Sequence, residues 1–139
     1  MYEVQNMAQA LSRSESREVA FRMIFAMGNG TVNDGDAWSL ALDGKTAPAP
    51  EKQYIEQVLN TFLDLREKID ARISEHLQKW TLDRLRQTDL AVLRLASAEM
   101  MLGSVPTPVI INEAVNLAKK YGDAQSGSFV NGLLAKLAE

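Results

Sequence analysis

Apolar residues recur at helical spacing through most of the chain, and no stretch of strand length alternates with period two. The pattern predicts an all-α fold of six or seven helices. Ser12 and Glu15 have the S-x-x-E spacing of a capping box, in which each side chain accepts a hydrogen bond from the other's backbone N–H at a helix start. Behind them Val19, Ala20, Met23, Ile24 and Met27 form one apolar stripe, and Phe21 with Phe25 forms an adjoining one. Two stripes predict burial on more than one side. Gly28-Asn29-Gly30 then ends the helix with residues that tolerate positive φ. Residues 1–11 show no sustained period and are expected to form a loose arm.

Residues 31–50 hold two prolines and several small and acidic residues, which predicts a long connection with a short helical turn at 38–42. From 51 to 80 there is no Gly or Pro, and Tyr54, Val58 and Phe62, then Ile69, Ile73 and Leu77, repeat every fourth residue. The segment reads as helical throughout, with 64–67, where the phase slips, as its one candidate break. Leu82, Leu85, Asp89, Val92, Leu93, Ala96 and Met100 predict one further long helix, ended by Gly103. Thr107 as N-cap and Pro108 at the first helical position open the next, with Ile110, Ile111, Ala114, Val115 and Ala118 inward. Gly122 closes it behind Lys119 and Lys120, cations at the negative end of the dipole. A last helix opens near Ser126 and is expected to bury Phe129, Val130, Leu133, Leu134 and Leu137.

Composition narrows the function. A chain of 139 residues, 46% hydrophobic and 24% charged, is expected to form one domain over 1–139 that buries roughly two-thirds of its unfolded surface. No apolar run approaches the ~20 residues needed to span a bilayer, and the N-terminus lacks the basic start and apolar core of a secretory signal, so a cytoplasmic location is expected. The absence of cysteine removes disulfides, thiolate metal sites and cysteine nucleophiles together. With one histidine and none of the common zinc, nucleophile-elbow or phosphate-loop patterns, the chain reads as non-enzymatic and without a cofactor. His76 beside Glu75 reads as a surface histidine, because adjacent helical side chains diverge. Asn33-Asp34-Gly35-Asp36 resembles a calcium loop only superficially, since counting from Asp34 puts Trp38 where an oxygen ligand is required.

Net charge is −3, so bulk electrostatics do not announce a nucleic-acid binder. Two local features stand out. Arg13, Arg17 and Arg22 cluster near a helix N-terminus, where the dipole prefers acids; a solvated face balanced by Glu15 and Glu18 is the plainer reading. Asp89 and Arg94 interrupt the nearly apolar run 85–101; Asp89 reads either as a partner for a neighbouring helix end or as a solvent-facing residue, and Arg94 as a snorkelling cation.

Four segments carry a resemblance: "RLRQTDLAVLRLASAEM" (84–100), "VPTPVIINEAVNLAKKYG" (105–122), "SFVNGLLAKL" (128–137) and, before them, "REVAFRMIF" (17–25). Together they are similar, in order and spacing, to the NusB family of bacterial transcription antitermination factors. The resemblance implies an all-α helical bundle arranged as two small sub-bundles, in a protein that binds boxA-type single-stranded RNA with a ribosomal protein acting as NusE, within an RNA polymerase antitermination complex. By position it implies RNA contacts at Arg13, Arg17, Gln87, Arg94 and Phe129, and a partner interface at Phe25, Asp83 and Asp89. The arginines would neutralise phosphates, Gln87 would read base edges and Phe129 would stack. The phase of Phe129 with Leu133 leaves a core role open as well. Asn112, Asn131 and Gly132 read as capping or close-packing positions. Ser14, Glu15 and Ser16 stand where the family commonly has a denser basic run, which implies weaker RNA binding by the isolated chain and strong dependence on the partner. The alternative is a homodimeric protein-interaction scaffold on the same fold; a monomer and a homodimer are both compatible with the sequence.

Overall fold

The computed structural model describes residues 10–28, 34–78 and 81–139. Most of the expected arm, together with Asn29, Gly30, Asn33 and Trp80, lies outside the described residues. Helix α1 spans Arg13–Gly28 and begins as the capping spacing requires. The Ser12 N–H donates to Glu15 Oε1 at 3.0 Å and the Glu15 N–H to Ser12 Oγ at 3.1 Å. Its two stripes are both used: Val19, Ala20, Phe21, Met23 and Ile24 are buried, while Phe25 and Met27 are half-buried.

Helix α2, Asp34–Leu42, is longer than the expected single turn. Its fully buried residues are Ala37 and Ala41, too small to mark a stripe in the sequence; Trp38 and Leu42 pack half-buried against the core, and Leu40 stands exposed. Positive φ at Asp43 (50°) and Gly44 (79°) turns the chain, and the Leu11 N–H donates to the Thr46 carbonyl at 3.0 Å, tying the entrance of α1 to the exit of α2. Helix α3, Ala49–Asp64, buries Tyr54, Ile55, Val58, Leu59 and Phe62. Helix α4, Arg66–Glu75, buries Ile69 and Ile73. Leu65, at φ −114° and ψ 19°, is the break between them, within the span where the phase slips.

The single long helix expected from Leu82 to Gly103 is two elements. Leu82–Arg84 is a 3₁₀ turn, Leu85 and Arg86 are extended, and helix α5 runs from Gln87 to Leu102. A three-residue apolar spacing such as Leu82–Leu85 suits the 3₁₀ repeat as well as the α-helix, so periodicity alone could not separate them. Gly103 caps α5 in the left-handed region at φ 77°, as expected.

Helix α6 spans Thr107–Tyr121 and helix α7 Ser126–Leu137. The start of α6 corrects the expected cap: Pro106 holds the N-cap position, its carbonyl accepts from the Val109 and Ile110 N–H groups, and Thr107 makes no side-chain cap. Gly122 ends α6, for a different reason from Gly103. Its φ of −94° needs no glycine, but an added Cβ would lie 2.2 Å from Ser126 Oγ. Close approach of α7, not left-handed backbone, demands glycine there.

Helix α5 joins the two groups of helices. It packs on α1 and α3 on one side and on α4, α6 and α7 on the other, and residues 91–99 are all buried. Among the described residues no strand forms.

Candidate nucleic-acid interface

The residues singled out in the sequence fall in three places. The first joins α1, α3, α5 and α6. Arg17 is 5% exposed; its Nε donates to both oxygens of Glu99 at 3.0 and 3.2 Å, and Glu113 stands 3.7 Å from Nη1. Glu99 is 2% exposed, and burial raises its pKa against the pull of Arg17. Arg13 grips Glu51 through Nε and Nη2 at 2.7 and 3.2 Å. Both guanidinium groups stack toward Tyr54, with Cζ 4.4 Å (Arg13) and 5.7 Å (Arg17) from the ring centre. Burial beside Glu99 pushes the Tyr54 hydroxyl well above its ordinary pKa. Arg22 is likewise engaged, with Glu18 at 2.9 Å and the Ala41 carbonyl at 2.9 Å. Of the arginines of α1 only Arg22 has the expected local balance, from Glu18, and even that pair is partly buried. Two of them answer acids 35 or more positions away in the chain, and Glu15 pairs with Lys45 instead.

The second place is a cleft of about 100 Å³ between the end of α1 and the start of α5. Phe25, Asp83, Gln87 and Arg94 all line it, so residues expected to meet RNA and residues expected to meet a protein stand side by side. Arg94 is committed inward: Nε and Nη2 donate to the two oxygens of Asp70, both at 2.9 Å, and its side chain is 11% exposed. Gln87 and Asp83 are exposed, and the Thr81 hydroxyl holds the Asp83 carboxylate below its usual pKa.

The third is a wider cavity of about 490 Å³ between the start of α5 and the start of α7, lined by Arg84, Arg86, Asp89, Asp123, Gln125 and Phe129, among others. Asp89 is buried to 8% exposure and its Oδ1 has no hydrogen-bond partner among the described residues; burial raises its pKa. Asp123 is the reverse: the Gln125 N–H and Arg86 hold it below the usual range. The Arg86–Asp123 pair, at 2.8 Å, is half-exposed on both sides and therefore weak. Phe129 is half-buried, with one side toward the core and the other on this cavity. The two roles left open for it are compatible in one position.

The comparisons now decide the family. The NusB family model matches residues 14–139. The transcription antitermination protein NusB of Bacillus licheniformis is 39% identical over 128 residues, which cover 91% of this chain and 96% of that protein. The chain belongs to the NusB family. T. maritima NusB superposes with a TM-score of 0.80 at 31% identity, covering 93% of this chain and 92% of that one. A chain in a crystal structure of the antitermination factors NusB and NusE in complex with dsRNA superposes with a TM-score of 0.80 at 29% identity, covering 90% of this chain and 94% of that one.

For this NusB-family chain the structure separates the expected RNA residues by availability. Gln87, Phe129 and the partly exposed Arg13 present surface, whereas Arg17 and Arg94 are already neutralised by buried or half-buried carboxylates. A direct phosphate contact by either requires its ion pair to open. Sequence reasoning missed Arg84 and Arg86, which flank Leu85 in the "RLRQTD" segment and reach the open cavity because the chain there is extended and not helical. It also missed Glu99, whose only local signal is a further charged residue, after Asp89 and Arg94, in the nearly apolar run 85–101.

Proposed function

We propose that this chain is a non-enzymatic, RNA-binding transcription antitermination factor of the cytoplasm, acting as one unit over 1–139. It recognises boxA-type RNA together with the ribosomal protein NusE and joins the RNA polymerase antitermination complex. The observation that carries the reading is membership in a family of which a member has been crystallised with NusE and RNA. Among the described residues no helix is long and apolar enough to cross a membrane.

In this reading the RNA runs along the mouth of the wider cavity. Arg84 and Arg86 meet phosphates there, Gln87 reads a base edge and Phe129 offers a stacking face. Arg13 supplies a further cation by exchanging Glu51 for phosphate. Arg17 and Arg94 serve as positioning residues that hold α1 and α4 on α5. Phe25 and Asp83 form the protein cleft, and its carboxylate suits a basic ribosomal protein. Asp89 lies at the first turn of α5 on the wider cavity and not in the cleft of Phe25 and Asp83. Because most cations of α1 are spent on internal acids, few counterions are released by the chain alone, and affinity depends on NusE.

A salt series of anisotropy titrations against boxA RNA, a scrambled strand and a duplex, with and without NusE, tests this. NusE is expected to sharpen the preference for boxA tenfold or more. Arg84→Ala is expected to lower the log-log salt slope by about 0.7 while leaving stability within about 0.5 kcal/mol. If no RNA is preferred at any salt even with NusE present, the reading is wrong.

A further inference from the structure

Gly132 has no internal reason to be glycine. It lies inside α7, where glycine is a poorer helix former than alanine, and the sequence reading gave it a close-packing role. The structure contradicts that role. Among the described residues a Cβ built on Gly132 meets no atom within 4 Å. Gly127 in the same helix differs: there an added Cβ would lie 3.2 Å from the Lys119 stem. Gly122, just before the helix, is tighter still.

The space beside Gly132 is a groove of about 320 Å³ between α7 and the end of α4. Leu77 and Leu133 give it apolar walls, His76 and Lys136 supply imidazole and ammonium, and no carboxylate lines it among the described residues. Ser128, Gly132 and Lys136 follow one another at four-residue spacing and so share one face of α7. Phe129 lines this groove and also the wider cavity assigned above to RNA, so the two recesses meet at its ring. The volume is at the low end of small-ligand pockets, a fit for one base and its sugar.

We propose that this groove is a nucleotide subsite that continues the RNA path past Phe129. A base lies against the bare backbone at Gly132 and the edge of the Phe129 ring, and a phosphate lies on Lys136. An aromatic wall beside a lone cation is the common composition of single-strand binding surfaces. The inference rests on the RNA-binding reading of the neighbouring cavity.

Gly132→Ala separates the two kinds of glycine. With open space around it, the added methyl is expected to raise Tm by about 2–4 °C through helix propensity alone. The same methyl stands where the base would sit, and is expected to weaken binding of boxA RNA in the presence of NusE at least fivefold, within the range for loss of one stacked base. Lys136→Gln is expected to reduce the salt slope by about 0.7. A raised Tm with unchanged RNA affinity overturns the subsite, as does a lowered Tm, which would mean that Gly132 packs after all. Loss of NusE binding with RNA affinity per complex unchanged would assign the groove to protein and also overturn it. If Arg84→Ala weakens RNA binding while Gly132→Ala does not, the RNA reading of the cavity survives and only the subsite fails. If wild type binds no RNA, the failure lies with the reading of function itself.

Discussion

Arg17 and Arg84 are one residue type in two regions that differ in what charge is for. Arg17 sits at the junction of four helices, 5% exposed, with Glu99 and Glu113 as its counterions. Arg84 sits at the rim of an open cavity, in a 3₁₀ turn, with no ion pair of its own among the described residues. In the first region charge has been removed from water and must be answered within the chain, so it contributes to fold specificity and has little left for a ligand. In the second it remains hydrated, adds little to stability and stays available for phosphate.

The largest expected effect breaks the first region without touching the second. Glu99→Gln leaves the Arg17 charge buried with only the 3.7 Å Glu113 to answer it, and is expected to cost about 3 kcal/mol in a urea melt, the low end for breaking a buried pair. Replacing both partners, Arg17→Met with Glu99→Leu, should recover most of that loss. RNA affinity of the folded variants should hold. A cost below about 1 kcal/mol would show that the cluster is dispensable.

A smaller effect tests the cavity. Asp89 is a buried carboxylate with an unpartnered oxygen and a raised pKa. Between the unfolded value near 3.9 and the higher folded one, the folded chain keeps a proton that the unfolded chain has lost. The resulting stability is full below the unfolded value and fades as pH rises through the folded value. Asp89→Asn should therefore gain on wild type as pH rises across that window, while weakening the protein partner if Asp89 meets it. A stability difference that is flat with pH would mean that Asp89 is solvated.

The smallest expected effect has the opposite sign. Glu15, held by the Lys45 ammonium and then by the Ser12 N–H, titrates at about 2. Its contribution is present above the unfolded value near 4.3 and is lost as pH falls toward 2. Lys45 and Glu15 are both well exposed, so screening reduces the gain to a few tenths of a kcal/mol. Acid melts of Glu15→Gln against wild type should converge as pH approaches 2; a gap that persists there would break the assignment.

Most of the fold was legible because its signals are local. The Ser12–Glu15 box, the phase slip around Leu65, the Gly103 cap and the apolar phase of α3 and α7 each depend on residues within one or two helical turns. The misreadings mark where local spacing is ambiguous or weak: Leu82–Leu85 suits two helix types, and the fully buried residues of α2 are only alanines. The site was less legible. Gln87 and Phe129 were singled out and do present surface, but Arg84 and Arg86 reach the cavity only because the chain is extended at Leu85, and no spacing rule distinguishes Arg17 from Arg84.

By itself the sequence determined the all-helical class, most helix ends and the family, since these follow from propensity, capping and an ordered run of motif residues. Only the tertiary structure decided which charges are spent and which are available. Whether an arginine meets an internal acid depends on partners such as Glu51 and Glu99, 38 and 82 positions away. Whether a glycine is needed or merely permitted depends on what its missing side chain would touch. Both are questions of distance in space, which packing sets and chain order does not.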